Sequence, residues 1–457
     1  MMLASSNQCR NPLVGVRIHK SKHKLLLWEK IPGAAPLMLE ECFMKKEWKP
    51  PRGTRDLLPE EMALRNKIYS RMRRIFELYG YGEVCTPAFE DFELLAAKSG
   101  PEIEEEIYVF EDKSGRKLGL RFDPTVPIAR IVATDPSLPK PVKFYYITRM
   151  WRYDRPQAGR YREFWQAGLE LIGSKSPLAD AEILAVANDL IRSVTDKEFT
   201  FKISSRKIVE EIAAKAGVPE DKKIQAFRAL DKLPKIGEEE VKKEMERIGL
   251  NDKVIDSFLS MLNSKQADLS ELYGIIEAAE KMGVTNIEID LSIIRGIDYY
   301  TGFVFETLIK GKENLGSVCS GGRYDSLIKI YGGQDLPAVG FGLGIDRLLD
   351  AVELKQVYYP CMVYIAPAND DARDKAVEFT KLLRQNGVSA ETDLMNRSLR
   401  KQLEYAASKK IPFVVIVGLK DLENNQVTVR DMATGKEEKI ITEDLVGYFR
   451  TIDKELE

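Results

Sequence analysis

The sequence predicts an α+β body with a mostly antiparallel sheet, a helical insertion within it, and a separate C-terminal α/β domain. Three observations lead there. The strand-like runs Lys143 to Tyr153 and Gln166 to Ile172 are joined by the polar Pro/Gly connection Asp154 to Arg160, as in an antiparallel hairpin. Residues 205–285 are charged and read largely as helix. Past about residue 356, strand and helix patterns alternate. A chain of 457 residues also exceeds one ordinary core and suits two or three domains.

Taken in order, residues 1–43 carry scattered Lys and Arg and a short Leu25 to Trp28 patch with no sustained period, so a poorly ordered extension is expected. No acidic residue precedes Glu29, which leaves organelle targeting open, although the apolar patch is too short for a secretory signal. A start upstream of an original Met44 accounts for the segment as well. Leu64, Ile68, Met72, Ile75, Phe76 and Tyr79 repeat at helical spacing, entered through Pro59 and ended by Gly80. Strands are predicted over 84–89, 118–122, 143–153 and 166–172, then a helix over 177–195. Strand patterns resume at 286–291 and 303–308, followed by the Gly-rich Ser320 to Asp325 and a strand and helix within 338–349. The terminal alternation runs strand 362–366, helix 373–386, strand 389–392, helix 399–410, strand 413–417. The expected division is 44–204 with 286–355 as one domain, 205–285 as the insertion, and 358–457 as the last domain.

Composition narrows the chemistry. Lys plus Arg number 69 against 71 Asp plus Glu, so any binding of nucleic acid must come from local patches. Five scattered cysteines without a C-x-x-C pair suit free thiols in a reducing, cytoplasmic setting and make a structural zinc site improbable. Only His19 and His23 exist, so neither a Ser-His-Asp triad nor a zinc hydrolase site has its histidine in the body of the chain. The H-I-G-H signature and the G-x-x-x-x-G-K-[ST] phosphate loop are both missing. No apolar run approaches the roughly 20 residues that span a membrane.

Three constellations remain. Arg152, Arg155, Arg160 and Arg162 crowd one hairpin loop, which suits forked recognition of a triphosphate, and Phe164 offers a face for a flat base. A solvated, salt-bridged hairpin would look the same. In Ala338 to Leu349 the alternate Gly340, Gly342 and Gly344 strip one strand face, and Arg347 follows at the start of a helix. Either a ligand or another backbone packs there. In Arg295 to Gly302 an arginine precedes Tyr299 and Tyr300, of which at most one faces a common pocket if the segment is extended.

Together these stretches resemble the histidyl-tRNA synthetases. Phe144 to Gln166 is similar to motif 2 of class II synthetases, Ala338 to Leu349 to motif 3, and Gly53 to Pro87 to motif 1. Arg295-Gly296-Ile297-Asp298-Tyr299-Tyr300 and Gly321-Gly322-Arg323-Tyr324-Asp325 resemble the two histidine-specific signatures. The resemblance runs from about residue 48 to the end. It implies an α+β catalytic domain with a mostly antiparallel sheet and helical insertion, a C-terminal α/β anticodon-binding domain, and a homodimer with motif 1 at its interface.

It also implies the activity: histidine and ATP give histidyl-adenylate, and histidine passes to tRNA(His), with Mg2+ bound alongside ATP and no part for DNA or a membrane. By resemblance Arg152 holds the α-phosphate and the substrate carboxylate, with Arg295 on the other side of the phosphate. Arg347 would stack on adenine, with Arg160 and Phe164 completing the ATP site. Asp123, Pro124, Thr125 and Gln166 would meet the amino group; many bacterial members carry Glu and Gly where Asp123 and Pro124 stand. The imidazole has two ring nitrogens, each needing a partner, and Glu170 with Tyr299 or Tyr300 and Tyr324 suits that demand. The alternative within the family is a non-catalytic, histidine-sensing regulatory paralogue. That paralogue usually lacks the last domain and the motif 2 and 3 arginines. A scaffold that binds RNA without activity is a further alternative.

Overall fold

The computed structural model describes residues 48–97, 105–154, 159–294, 300–352 and 358–456. The expectations for residues 1–43, Arg155, Arg295 and Tyr299 lie outside these. The described fold belongs to the compact unit that begins at Pro51.

Helix α1 (Pro59–Leu78) opens with Pro59 in its first turn and Glu60 and Glu61 at the positive end of its dipole. Its apolar stripe buries Ile68, Tyr69, Met72 and Phe76. Beyond it come β1 (Gly82–Glu83) and β2 (Phe89–Asp91). The strand expected over 84–89 does not form, and the reason is local. Pro87 has no N–H to offer a ladder, and the Arg121 guanidinium takes the carbonyls of Thr86 and Pro87, at 2.5 and 3.0 Å.

Helix α2 (Phe92–Ala96), β3 (Val109–Glu111) and β4 (Lys117–Leu120) follow, with β2, β4 and β3 forming a small sheet in that order. Then come α3 (Thr125–Thr134), β5 (Val142–Trp151), β6 (Glu163–Ile172), α4 (Pro177–Arg192) and β7 (Phe199–Ser205). Ser176 caps α4 by accepting from Leu178 N.

The predicted helical stretch is α5 (Arg206–Ala216), α6 (Lys223–Leu230), α7 (Leu233–Arg247), α8 (Asp252–Asn263) and α9 (Ser270–Lys281). Its buried residues, among them Ile212, Phe227 and Phe258, are continuous with the core beneath the main sheet. The chain returns through β8 (Ile287–Ile289), β9 (Phe303–Ile309), β10 (Cys319–Arg323), α10 (Leu327–Ile330), β11 (Ala338–Gly344) and α11 (Ile345–Val352).

Among the described residues the main sheet has the order β1-β5-β6-β11-β10-β9-β7-β8. Every pairing from β5 to β7 is antiparallel, and only the edge pairings β1–β5 and β7–β8 are parallel. The Gly-rich stretch around residue 321 is therefore an inner strand. A Cβ at Gly321 would strike the Gly340 carbonyl, so its neighbours leave no room for a side chain.

The last domain contains β12 (Val363–Pro367), α12 (Arg373–Gln385), β13 (Ala390–Thr392), α13 (Leu399–Ser408), β14 (Phe413–Val417), α14 (Leu419–Leu422), β15 (Gln426–Asp431), β16 (Glu437–Ile441) and α15 (Leu445–Leu456). β13, β12 and β14 are parallel, and β15 and β16 extend the sheet antiparallel. Alternation along β12 sends Val363 and Ile365 into one core and Tyr364 and Ala366 into another across the sheet. No described helix is long and apolar enough to cross a membrane.

Candidate active site

The floor of the site is the pairing of β6 with β11. Its register sets Gln166 opposite Gly344, Gly168 opposite Gly342 and Glu170 opposite Gly340, so all six share one face of the sheet. The bare glycine face serves two ends. A Cβ at Gly340 would collide with Glu170 Oε2 and one at Gly342 with Gln166 Nε2, so both side chains lie across β11 where only glycine fits. At Gly344 a Cβ would meet only ordinary contacts, the nearest being Arg347 Cβ at 3.7 Å, and that end is open to the cleft.

Above this floor lies a cleft of about 320 Å³. Glu170 is 2% exposed at its base. Thr125 Oγ1 donates to Oε1 at 2.6 Å and the Tyr324 hydroxyl donates to Oε2. Burial pushes this carboxyl up to about 8, against the two hydroxyls that favour its ionised form, and Asp123 nearby adds to the rise. Burial likewise raises Asp123, opposed by Arg152, and its Oδ1 accepts from Val126 N as α3 begins.

The other end of the cleft is cationic. Arg152 donates through Nε to Phe122 O at 3.1 Å and stands 5.7 Å from the centre of the Phe164 ring. Arg160 pairs with Asp154 at 3.0 Å, and Arg347 Nη1 donates to Ser317 O at 2.5 Å. Arg347 is positioned by its neighbour in sequence. Asp346 Oδ1 accepts from Arg55 at 2.7 Å and Arg65 at 2.6 Å, and Oδ2 accepts from Trp165 N at 2.6 Å. Arg55 also donates to the Tyr161 hydroxyl at 2.6 Å. The N-terminal segment, the motif 2 hairpin and α11 therefore meet at one buried carboxylate.

Asp123, Thr125, Arg152, Arg160, Phe164, Gln166, Glu170, Tyr300, Tyr324 and Arg347 all line this cleft. Pro124 does not; it is buried as the residue preceding α3, so its part is to turn the chain between Asp123 and Thr125. Sequence reasoning missed Tyr146, Tyr161, Ser317 and Asp346, which also line it. Tyr145 and Tyr146 are indistinguishable by pattern. Only the register, with Tyr146 opposite Gly168, puts Tyr146 on the cleft face, while Tyr145 stacks on Phe76 at 4.6 Å on the other side.

Residues 53–348 match the histidyl-tRNA synthetase family, and residues 362–452 match an anticodon binding domain. A protein of Thermococcus kodakarensis named histidine–tRNA ligase is 41% identical over 422 residues, 86% of this chain and 96% of that one. Among solved structures, the histidyl-tRNA synthetase of a Nostoc species superposes with a TM-score of 0.76 at 29% identity, covering 89% of this chain and 100% of the other. The apo S. aureus histidyl-tRNA synthetase gives a TM-score of 0.70 at 28% identity, covering 88% and 99%. On the family match over residues 53–348 and this likeness to its relatives, the chain belongs to the histidyl-tRNA synthetase family.

Proposed function

We propose that this cleft binds histidine at its Glu170 end and ATP along its arginine end, so that the two react between them. As a family member the chain is an aminoacyl-tRNA synthetase, a histidine–tRNA ligase. The observation that carries the assignment of ends is the buried Glu170 carboxyl held by Thr125 and Tyr324 beneath a mouth lined by Arg152, Arg160 and Arg347. An imidazole N–H needs a desolvated acceptor, and a triphosphate needs guanidinium groups.

In the reaction the histidine carboxylate attacks the α-phosphate and pyrophosphate leaves; histidine then passes from the adenylate to the tRNA 3′ end. Such in-line displacement calls for positioning and charge neutralisation more than for an acid or base. Arg152 would orient the carboxylate and α-phosphate, Arg347 the adenine and outer phosphates, and Arg160 and Phe164 the tail and base. Arg295 would neutralise the phosphate from the other side. Asp123, Thr125 and Gln166 would receive the ammonium, and Tyr300 and Tyr324, with Tyr299 as a further candidate, would complete the imidazole pocket.

Mg2+ would enter with ATP. The ion would be carried mainly by phosphate oxygens, with the cleft-lining carboxylates of Glu106 and Asp154 nearby. The domain after residue 358 would bind the anticodon of tRNA(His). The working form would be a cytoplasmic class II homodimer. The regulatory-paralogue reading finds less support, because the motif 2 and 3 arginines and the anticodon-binding match are all present. ATP–pyrophosphate exchange screened over all twenty amino acids tests the proposal: exchange with histidine is expected, and none above background would sink it.

A further inference from the structure

We infer that Tyr146 is a positioning residue that fixes the Gln166 amide in one of its two orientations and thereby makes the cleft select a protonated α-amine. The inference rests on the reading that Gln166 meets the substrate ammonium.

Tyr146 is 2% exposed, and from β5 its side chain reaches across β6 to the edge of β11. The space for its hydroxyl is made by Gly168, where a Cβ would strike both Tyr146 Oη and the Phe341 carbonyl. Two groups approach that hydroxyl: Phe341 O at 3.4 Å and the Gln166 amide at 3.1 Å. A phenol has one hydrogen to donate. Phe341 O can only accept, so the hydrogen goes there and Oη is left to accept from Gln166 Nε2. With the amide reversed, the phenol hydrogen would have to turn from Phe341 O to Gln166 Oε1, and the pair of bonds seen here would both be lost.

Burial, reinforced by Glu170 and Asp123, holds the Tyr146 phenol well above its ordinary value, so the donor stays protonated. Nε2 is further confined over the bare Cα of Gly342. The acceptor Oε1 is thus the free end of the amide. An outward oxygen attracts an ammonium, whereas an outward NH2 would repel it and favour an anion. Tyr146 therefore settles the polarity of the amino subsite through Gln166.

The test compares wild type, Tyr146→Phe and Gln166→Ala in histidine-dependent ATP–pyrophosphate exchange. Two inhibitors are included: histidinol, which keeps the amine, and 3-(imidazol-4-yl)propanoate, which lacks it. Tyr146→Phe is expected to raise KM for histidine and Ki for histidinol together by about 10-fold. Ki for the propanoate, KM for ATP and the Tm should stay near wild type. If Gln166→Ala raises KM for histidine but Tyr146→Phe does not, the positioning role is overturned. A parallel rise in all constants, the propanoate included, overturns it in favour of general loosening of the pocket. If neither variant changes KM for histidine, the assignment of Gln166 to the ammonium fails, and the inference with it.

Discussion

Glu170 lies across Gly340, its Oε2 occupying the space that any side chain at that position would need. The glycine is thus part of the substrate pocket although it contributes no functional group. Gly340→Ala would push against this carboxylate and the Leu169 carbonyl. It should raise KM for histidine by more than about 10-fold, with KM for ATP changed less. Gly344→Ala, which has room in the protein itself, should leave the Tm unchanged, so a rise in KM for ATP there would report close approach of the nucleotide to β11. Steady-state kinetics with a melting curve for each variant decides; equal effects of both on histidine would refute the division of the strand.

The raised Glu170 carboxyl has a consequence for stability. Its ordinary value is 4.5 and its folded value about 8, so between these the unfolded chain has lost the proton and the folded chain keeps it. The group's contribution to stability is full below about pH 4.5, falls as pH rises through this window, and is flat above about 8. Glu170→Gln cannot ionise and should remove that component. The Tm difference, variant minus wild type, should therefore rise from pH 5 to pH 8; a constant difference would contradict the assignment.

Asp346 anchors two arginines, one of which, Arg65, is 1% exposed. Asp346→Ala would leave Arg65 buried without this carboxylate and should cost about 3–5 kcal/mol in denaturant unfolding. Arg55→Ala removes a partner that is 30% exposed and should cost clearly less. Similar losses for both would show that burial of Arg65 is not the source of the effect.

Arg295 carries the proposed mechanism beyond generic ATP binding. Arg295→Ala should slow adenylate formation by roughly 100-fold or more while altering ATP affinity far less. Arg295→Lys should recover little, since an ammonium cannot reproduce a planar fork. Single-turnover rates measured beside a melting curve would expose a merely structural role as a rate loss that tracks unfolding.

Removal of residues 358–457 should spare histidyl-adenylate formation more than charging of tRNA. The domain's buried clusters, around Val363 and Tyr364, are separate from the core beneath the main sheet. Loss of pyrophosphate exchange and aminoacylation to the same degree would argue against separate duties.

The sequence by itself determined the parts whose information is local. The stripe of α1, the hairpin of β5 and β6, and the alternation after residue 356 follow from side-chain period and turn residues. The arginines and the Glu170, Gln166 and Tyr324 set could be named because their chemistry is written in residue type and family spacing. Tertiary structure alone decided what depends on register and burial. Adjacent tyrosines at 145 and 146 look alike until pairing with β6 turns one to the cleft and the other onto Phe76. Residues 84–89 look like a strand until Arg121, distant in sequence, takes their carbonyls. Asp346 looks like a helix-start acid until Arg55 and Arg65 converge on it. In each case a partner supplied by another part of the chain decides the outcome, and a one-dimensional pattern holds no record of which partner arrives.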